Sequence, residues 1–139
     1  MSKSTKKKEL NEEEKKELYF ELKQLDEEVK KLNTHLENVD DQLAELNSSI
    51  DIINKFSELK KGEELRVPIT SGIYIKSELT DTTNLMINVG SGVTVEKTPI
   101  EVTKILNSQV TELNKYRADI TSQMTVIIKR IEEIQKVFE

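Results

Sequence analysis

The stretch LTDTTNLMINVGSGVTVEK, residues 79–97, decides the fold. Leu85, Ile87 and Val89 alternate with Met86 and Asn88, the chain breaks at Gly90-Ser91-Gly92, and Val93 and Val95 resume the alternation. Apolar spacing of period two on either side of a glycine-flanked turn marks a β-hairpin. Just upstream, residues 65–70 carry Val67-Pro68, where the proline holds Val67 extended and suits an edge strand. Residues 72–80 then alternate Ile73, Ile75, Ser77 and Leu79 against Tyr74, Lys76 and Glu78. With turns at Thr70-Ser71-Gly72, Thr80-Asp81-Thr82 and Gly90-Ser91-Gly92, the central segment reads as two successive hairpins over 65–97.

On both sides the period changes. From Leu18 the apolar residues fall at Leu18, Leu22, Leu25, Val29, Leu32, Leu36, Val39, Leu43, Leu46, Ile50 and Ile53. The 4-3 spacing never breaks, which is the narrow seam of a coiled coil. No Gly or Pro interrupts it before Gly62, and Asn11 with Glu14 forms a capping box. The spacing predicts a helix over 12–60, about 70 Å long at ~1.5 Å per residue, with Gly62 as its C-terminal stop. Thr98-Pro99-Ile100-Glu101 opens a second helix, 98–139, with Thr98 as cap and Pro99 at the first helical position. Its seam runs Leu106, Val110, Leu113, Arg117, Ile120, Met124, Ile127, Ile131, Ile134, Phe138. Arg117 alone is polar there. It either fixes register or lays its stem along the seam with its head in water, and the second is the simpler reading. Ile52, Phe56 and Leu59, off the first seam, and Val102 and Ile105, flanking the second, imply a further body packing at these ends.

Composition bounds what such a chain does. It has 139 residues, 34% of them charged and only 4% aromatic, which suits one domain of long exposed helices better than a thick globular core. There is no cysteine, so neither a disulfide framework nor thiol chemistry is available, and a reducing, cytoplasmic location is the expectation. No apolar run reaches the ~20 residues of a membrane span, and the basic start lacks the apolar region of a secretory signal. A net charge of −5 argues against nucleic acid, and Lys6-Lys7-Lys8 reads as part of a flexible, charged tail over 1–11. His35, the only histidine, falls beside the seam on the solvated side, and Asp40-Asp41 and Glu12-Glu13-Glu14 read as solvated helix face. Gly90-Ser91-Gly92 lacks the Gly-Lys of a phosphate loop and leads into a strand. No residues support an enzyme, a cofactor or a metal site.

Isolated hairpins are marginal in water, and open strand edges pair or aggregate. The strands are therefore expected to join those of other subunits, through Val67, Ile69, Ile73, Ile75, Leu79, Leu85, Ile87, Val89, Val93 and Val95. The expected fold is α+β: a long antiparallel helical-hairpin coiled coil with two inserted β-hairpins that join an intersubunit β-barrel, with 12–139 a single domain. Antiparallel pairing brings 130–139 near 18–28 and leaves an apolar fringe at the helix ends. Leu18, Tyr19, Phe20, Leu22, Ile128, Ile131, Ile134, Val137 and Phe138 are the candidates for contact with other chains.

Val67-Pro68, Gly72-Ile73-Tyr74-Ile75-Lys76-Ser77-Glu78-Leu79, Asp81-Thr82 and Val89-Gly90-Ser91-Gly92-Val93-Thr94-Val95-Glu96-Lys97, set between two long helices, resemble the strand block of the prefoldin family, in its archaeal α class. The resemblance implies a heterohexamer of two α-class and four β-class subunits, whose arms hang from a β-barrel platform. It implies that the helix ends hold unfolded proteins and pass them, without ATP, to a group II chaperonin. The alternative is a filament-forming or spacer coiled coil, as in the γ-type members of that family. A coiled-coil arm on nucleic acid is a third reading that the acidic balance disfavours.

Overall fold

A computed structural model describes residues 10–139. The Lys6-Lys7-Lys8 run, and the expected tail as far as residue 9, lie outside the described residues. In chain order the elements are α1 (Glu12–Phe56), β1 (Glu64–Thr70), β2 (Ile73–Glu78), β3 (Leu85–Gly90), β4 (Val93–Lys97) and α2 (Pro99–Val137). The described residues fall into two compact units, one of 10–41 with 113–139 and one of 42–112.

In the first unit α1 and α2 pair antiparallel. Arg117 meets Asp40, Arg130 meets Glu21, and the Tyr19 ring stacks on Phe138. The α1 seam from Leu18 to Leu36 is half-buried, and Val39 is fully buried. On α2 the buried seam positions are Ile120, Ile127 and Ile134. A stripe this narrow between two helices leaves most other positions exposed, which accounts for the thin core. The N-terminus of α1 is capped as expected. Asn11 Oδ1 accepts the Glu14 N–H at 2.7 Å, while Asn11 Nδ2, and not the backbone of Asn11, donates to the Glu14 carboxylate at 3.0 Å.

The second unit holds the ends of both helices and the strands. Here the structure corrects one boundary. α1 ends at Phe56, and Gly62 does not cap it. The last turn tightens through Glu58 N–H to Lys55 O and Leu59 N–H to Phe56 O, while the Ser57 hydroxyl donates to Asn54 O. Such i→i−3 bonds satisfy the terminal carbonyls that an ended helix leaves open. Gly62, at φ 86°, instead donates its N–H to Leu79 O, and Leu79 returns a bond to Glu63 O. Gly62 thus opens the first hairpin. The start of α2 agrees with its cap, since Thr98 Oγ1 accepts the Glu101 N–H at 3.3 Å.

β1 pairs antiparallel with β2, and β3 with β4, as separate two-stranded sheets. Each hairpin turns in two residues. At the second turn Ser91 and Gly92 both take positive φ, 52° and 76°, the type I′ geometry whose twist matches the flanking strands. Between the hairpins Asp81 orders the chain, its Oδ1 accepting from Thr83 N, Thr83 Oγ1 and Asn84 N at 2.8–3.0 Å. These bonds hold its carboxyl below the usual carboxylate range, the Thr83 N–H being the largest cause.

Candidate functional site

The strand registers sort the side chains onto faces. Val67 stands opposite Ile75, Leu65 opposite Ser77 and Thr70 opposite Ile73 in the first hairpin. Ile87 stands opposite Val95, and Gly90 opposite Val93, in the second. Directly opposed residues share a face, so each hairpin carries one apolar face built from the residues expected to mediate assembly. The other faces carry Arg66 opposite Lys76, and Asn88 opposite Thr94. Leu79 lies just beyond β2, half-buried.

The apolar faces are poorly covered. Leu85, Ile87 and Val95 are half-buried, whereas Val67, Ile69, Ile73, Ile75, Val89 and Val93 are exposed, Ile69 to 61%. Each such side chain gains about 1.5–3 kcal/mol when fully buried, so the hairpins leave a large stabilisation unused. Both outer edges of each two-stranded sheet also lack a strand partner among the described residues. Nearby, at the helix ends of the same unit, Ile53, Pro99 and Ile100 line a groove of ≈ 260 Å³ with Asn54, Ser57, Thr103 and Lys104. Val102 is buried, while Ile52 and Ile100 stay open to solvent.

The second candidate surface lies at the paired ends in the other unit. Tyr19 and Phe138 stack with ring centroids 4.6 Å apart and 19° between planes. Beside them Tyr19, Leu22 and Ile131 line an open groove of ≈ 300 Å³ with Lys23, Asp26 and Gln135. Phe20, Ile128 and Val137 are exposed, and Leu18 and Phe138 are half-buried. Ile134, expected with this group, is 1% exposed. It is a seam residue, and it cannot touch another chain unless the helices part. Val126, 69% exposed and not among the expected contact residues, extends the apolar surface.

Two cross-helix ion pairs were not legible from spacing. Arg130 grips Glu21 through two bonds, Nε–Oε1 at 2.8 Å and Nη2–Oε2 at 3.1 Å, with Glu133 at 3.4 Å from Nη1. The Arg130 hydrogen bonds hold the Glu21 carboxyl below its usual range. Arg117 Nε donates to Asp40 Oδ1 at 2.7 Å. Asp40 is thus a partner of α2 and not merely solvated, and the Arg117 head is paired as well as wet. Among the described residues no cluster of three or more His, Cys, Asp or Glu is placed to hold a metal. No helix among them is long and apolar enough to cross a membrane.

A family profile described as Prefoldin subunit matches residues 6–139. Among curated proteins, the chain is 26% identical to Prefoldin subunit alpha of Thermofilum pendens, over 60% of this chain and 64% of that one. It is 31% identical to Prefoldin subunit alpha of Methanopyrus kandleri, over 55% and 53%, and 34% identical to human Prefoldin subunit 5, over 47% and 42%. The chain therefore spans between about two fifths and two thirds of the length of these relatives. Among solved structures, a chain of the filamentous PFD from Methanocaldococcus jannaschii superposes with a TM-score of 0.75 at 16% identity, covering 85% of this chain and 98% of that chain. Two long helices around two β-hairpins, with a family match over nearly the whole sequence, place this chain in the prefoldin subunit family.

Proposed function

We propose that the chain is an ATP-independent co-chaperone subunit. Two copies of it assemble with four β-class prefoldin subunits through β1–β4. It holds unfolded polypeptides at the paired helix ends and passes them to a group II chaperonin in the cytoplasm. The observation that carries this reading is the pair of half-uncovered hairpin faces with open edges. Such a surface is unstable alone and is satisfied by strands from neighbouring subunits in a closed barrel. The fringe of Tyr19, Phe20, Ile128, Val137 and Phe138 supplies the second element of the reading. A few partly buried apolar contacts bind weakly, and several such ends on one platform convert weak grips into reversible holding.

The test is suppression of aggregation of a chemically unfolded protein by the assembled complex. With Phe20→Ser, Ile128→Ser and Val137→Ser together, assembly is expected to persist while suppression falls severalfold. Unchanged suppression by an intact complex overturns the holding role.

A second reading has one observation in its favour, the likeness to the filamentous archaeal protein. Under it the strands form a polymerisation node and the chain builds filaments or spacers. Electron microscopy of the purified assembly separates the two: closed particles support the co-chaperone, and rods support the filament.

A further inference from the structure

The two helices are joined through residues 57–98, which form four strands in place of a tight turn. A short connection dictates how paired helices align, and this long one does not. The seams leave the alignment open as well. Sliding α1 against α2 by one heptad again sets apolar residues opposite apolar residues, so a 4-3 pattern is degenerate under that slip.

The cross-helix ion pairs differ in how they respond to such a slip. Glu21, the partner of Arg130, has Glu14 and Glu28 one heptad to either side. Arg130 finds a carboxylate in every register. Asp40, the partner of Arg117, is flanked at the same spacing by Asn33 and Asn47. A slip in either direction sets the guanidinium against a neutral amide at a seam position.

We infer that Arg117 and Asp40 form the register key of the helix pair, the contact that selects one alignment among heptad-shifted alternatives. The pair is half-exposed, 44% and 48% by side chain, so its direct contribution to stability is small. Its effect is discrimination. A polar residue in an apolar seam weakens the coil and specifies its alignment, because only one alignment sets a charged partner directly opposite it. The chosen register also makes the apolar end, since it brings Phe138 to Tyr19. A one-heptad slip sets Phe138 near Asp26 or Glu12 instead. The inference rests on the helix pairing alone and is independent of the client-holding role.

The full chain has no cysteine, so introduced pairs report alignment cleanly. Three pairs are cross-linked with a short bis-maleimide and read by mass spectrometry: Tyr19→Cys with Phe138→Cys for the native register, and Asp26→Cys or Glu12→Cys with Phe138→Cys for the slipped ones. With Asp40 in place, the 19–138 product is expected to dominate. Moving the acid one heptad with Asp40→Asn and Asn47→Asp is expected to make the 26–138 product dominant and to lose the 19–138 product. Arg117→Ile removes the key and is expected to give a mixture of registers together with a raised melting temperature. Arg130→Leu is expected to keep the native product alone. Retention of 19–138 as the dominant product after the acid is moved overturns the inference, as does equal scrambling by Arg130→Leu. Should the moved-acid variant lose its helical signal, Arg117→Ile decides, since a seam isoleucine keeps the coil intact: native products only overturn the key.

Discussion

Glu21 shows how single residues report on the helix pairing. The bonds from Arg130 depress its folded pKa below the ordinary 4.5. A carboxylate depressed in this way stabilises the fold above its unfolded pKa, and the contribution is lost as pH falls through the lower folded value. Thermal melts followed by the helical signal are therefore expected to drop as pH falls below about 4.5, and Glu21→Gln is expected to flatten that part of the acid limb. An acid limb unchanged by Glu21→Gln contradicts the pairing. Asp81 acts with the same sign through the turn it orders, from an ordinary value of 3.8. At the second hairpin turn, Gly92 holds φ 76° in open space, so an added methyl meets no neighbour and the cost is conformational. Gly92→Ala is expected to destabilise the turn by ~1–2 kcal/mol, read as faster hydrogen exchange in β3 and β4.

At the scale of elements, the seams and the hairpins were legible in the sequence, each for a physical reason. A 4-3 pattern marks which face of a helix is covered, though not its alignment with a partner, and the expected seam of α1 is buried or half-buried from Leu18 to Ile53. Alternation across Gly90-Ser91-Gly92 and Ser71-Gly72 set both hairpin turns correctly. Two features escaped. Lys60-Lys61-Gly62 imitates a helix stop, but a bonded turn after Phe56 ends α1 earlier and frees Gly62 for the hairpin. Cross-helix partners such as Arg117 and Asp40 need the register before they can be named. For the strands, the opposed pair Val67 and Ile75 lies on an exposed apolar face. Both are already about half-covered, so replacing both by serine is expected to weaken assembly by roughly 1.5–3 kcal/mol, given ~1.5–3 kcal/mol for each large apolar side chain taken from full exposure to full burial. That is a loss of one to two orders of magnitude in affinity, visible as dissociation in native mass spectrometry. The helical signal is expected to stay.

For the whole molecule, the account reduces to incompleteness. Two small sheets with open edges and half-covered faces do not satisfy themselves, and a chain with so thin a core has little else to hold them. Membership of the prefoldin subunit family agrees with a chain built to be finished by its neighbours. The most direct measurement is hydrogen exchange of the amides of residues 64–97, first in the isolated chain at a concentration where it is monomeric, then after mixing with a β-class prefoldin subunit. Near-unprotected amides are expected in the monomer and strong protection in the complex. Strong protection already present in the monomer, unchanged on mixing, contradicts this.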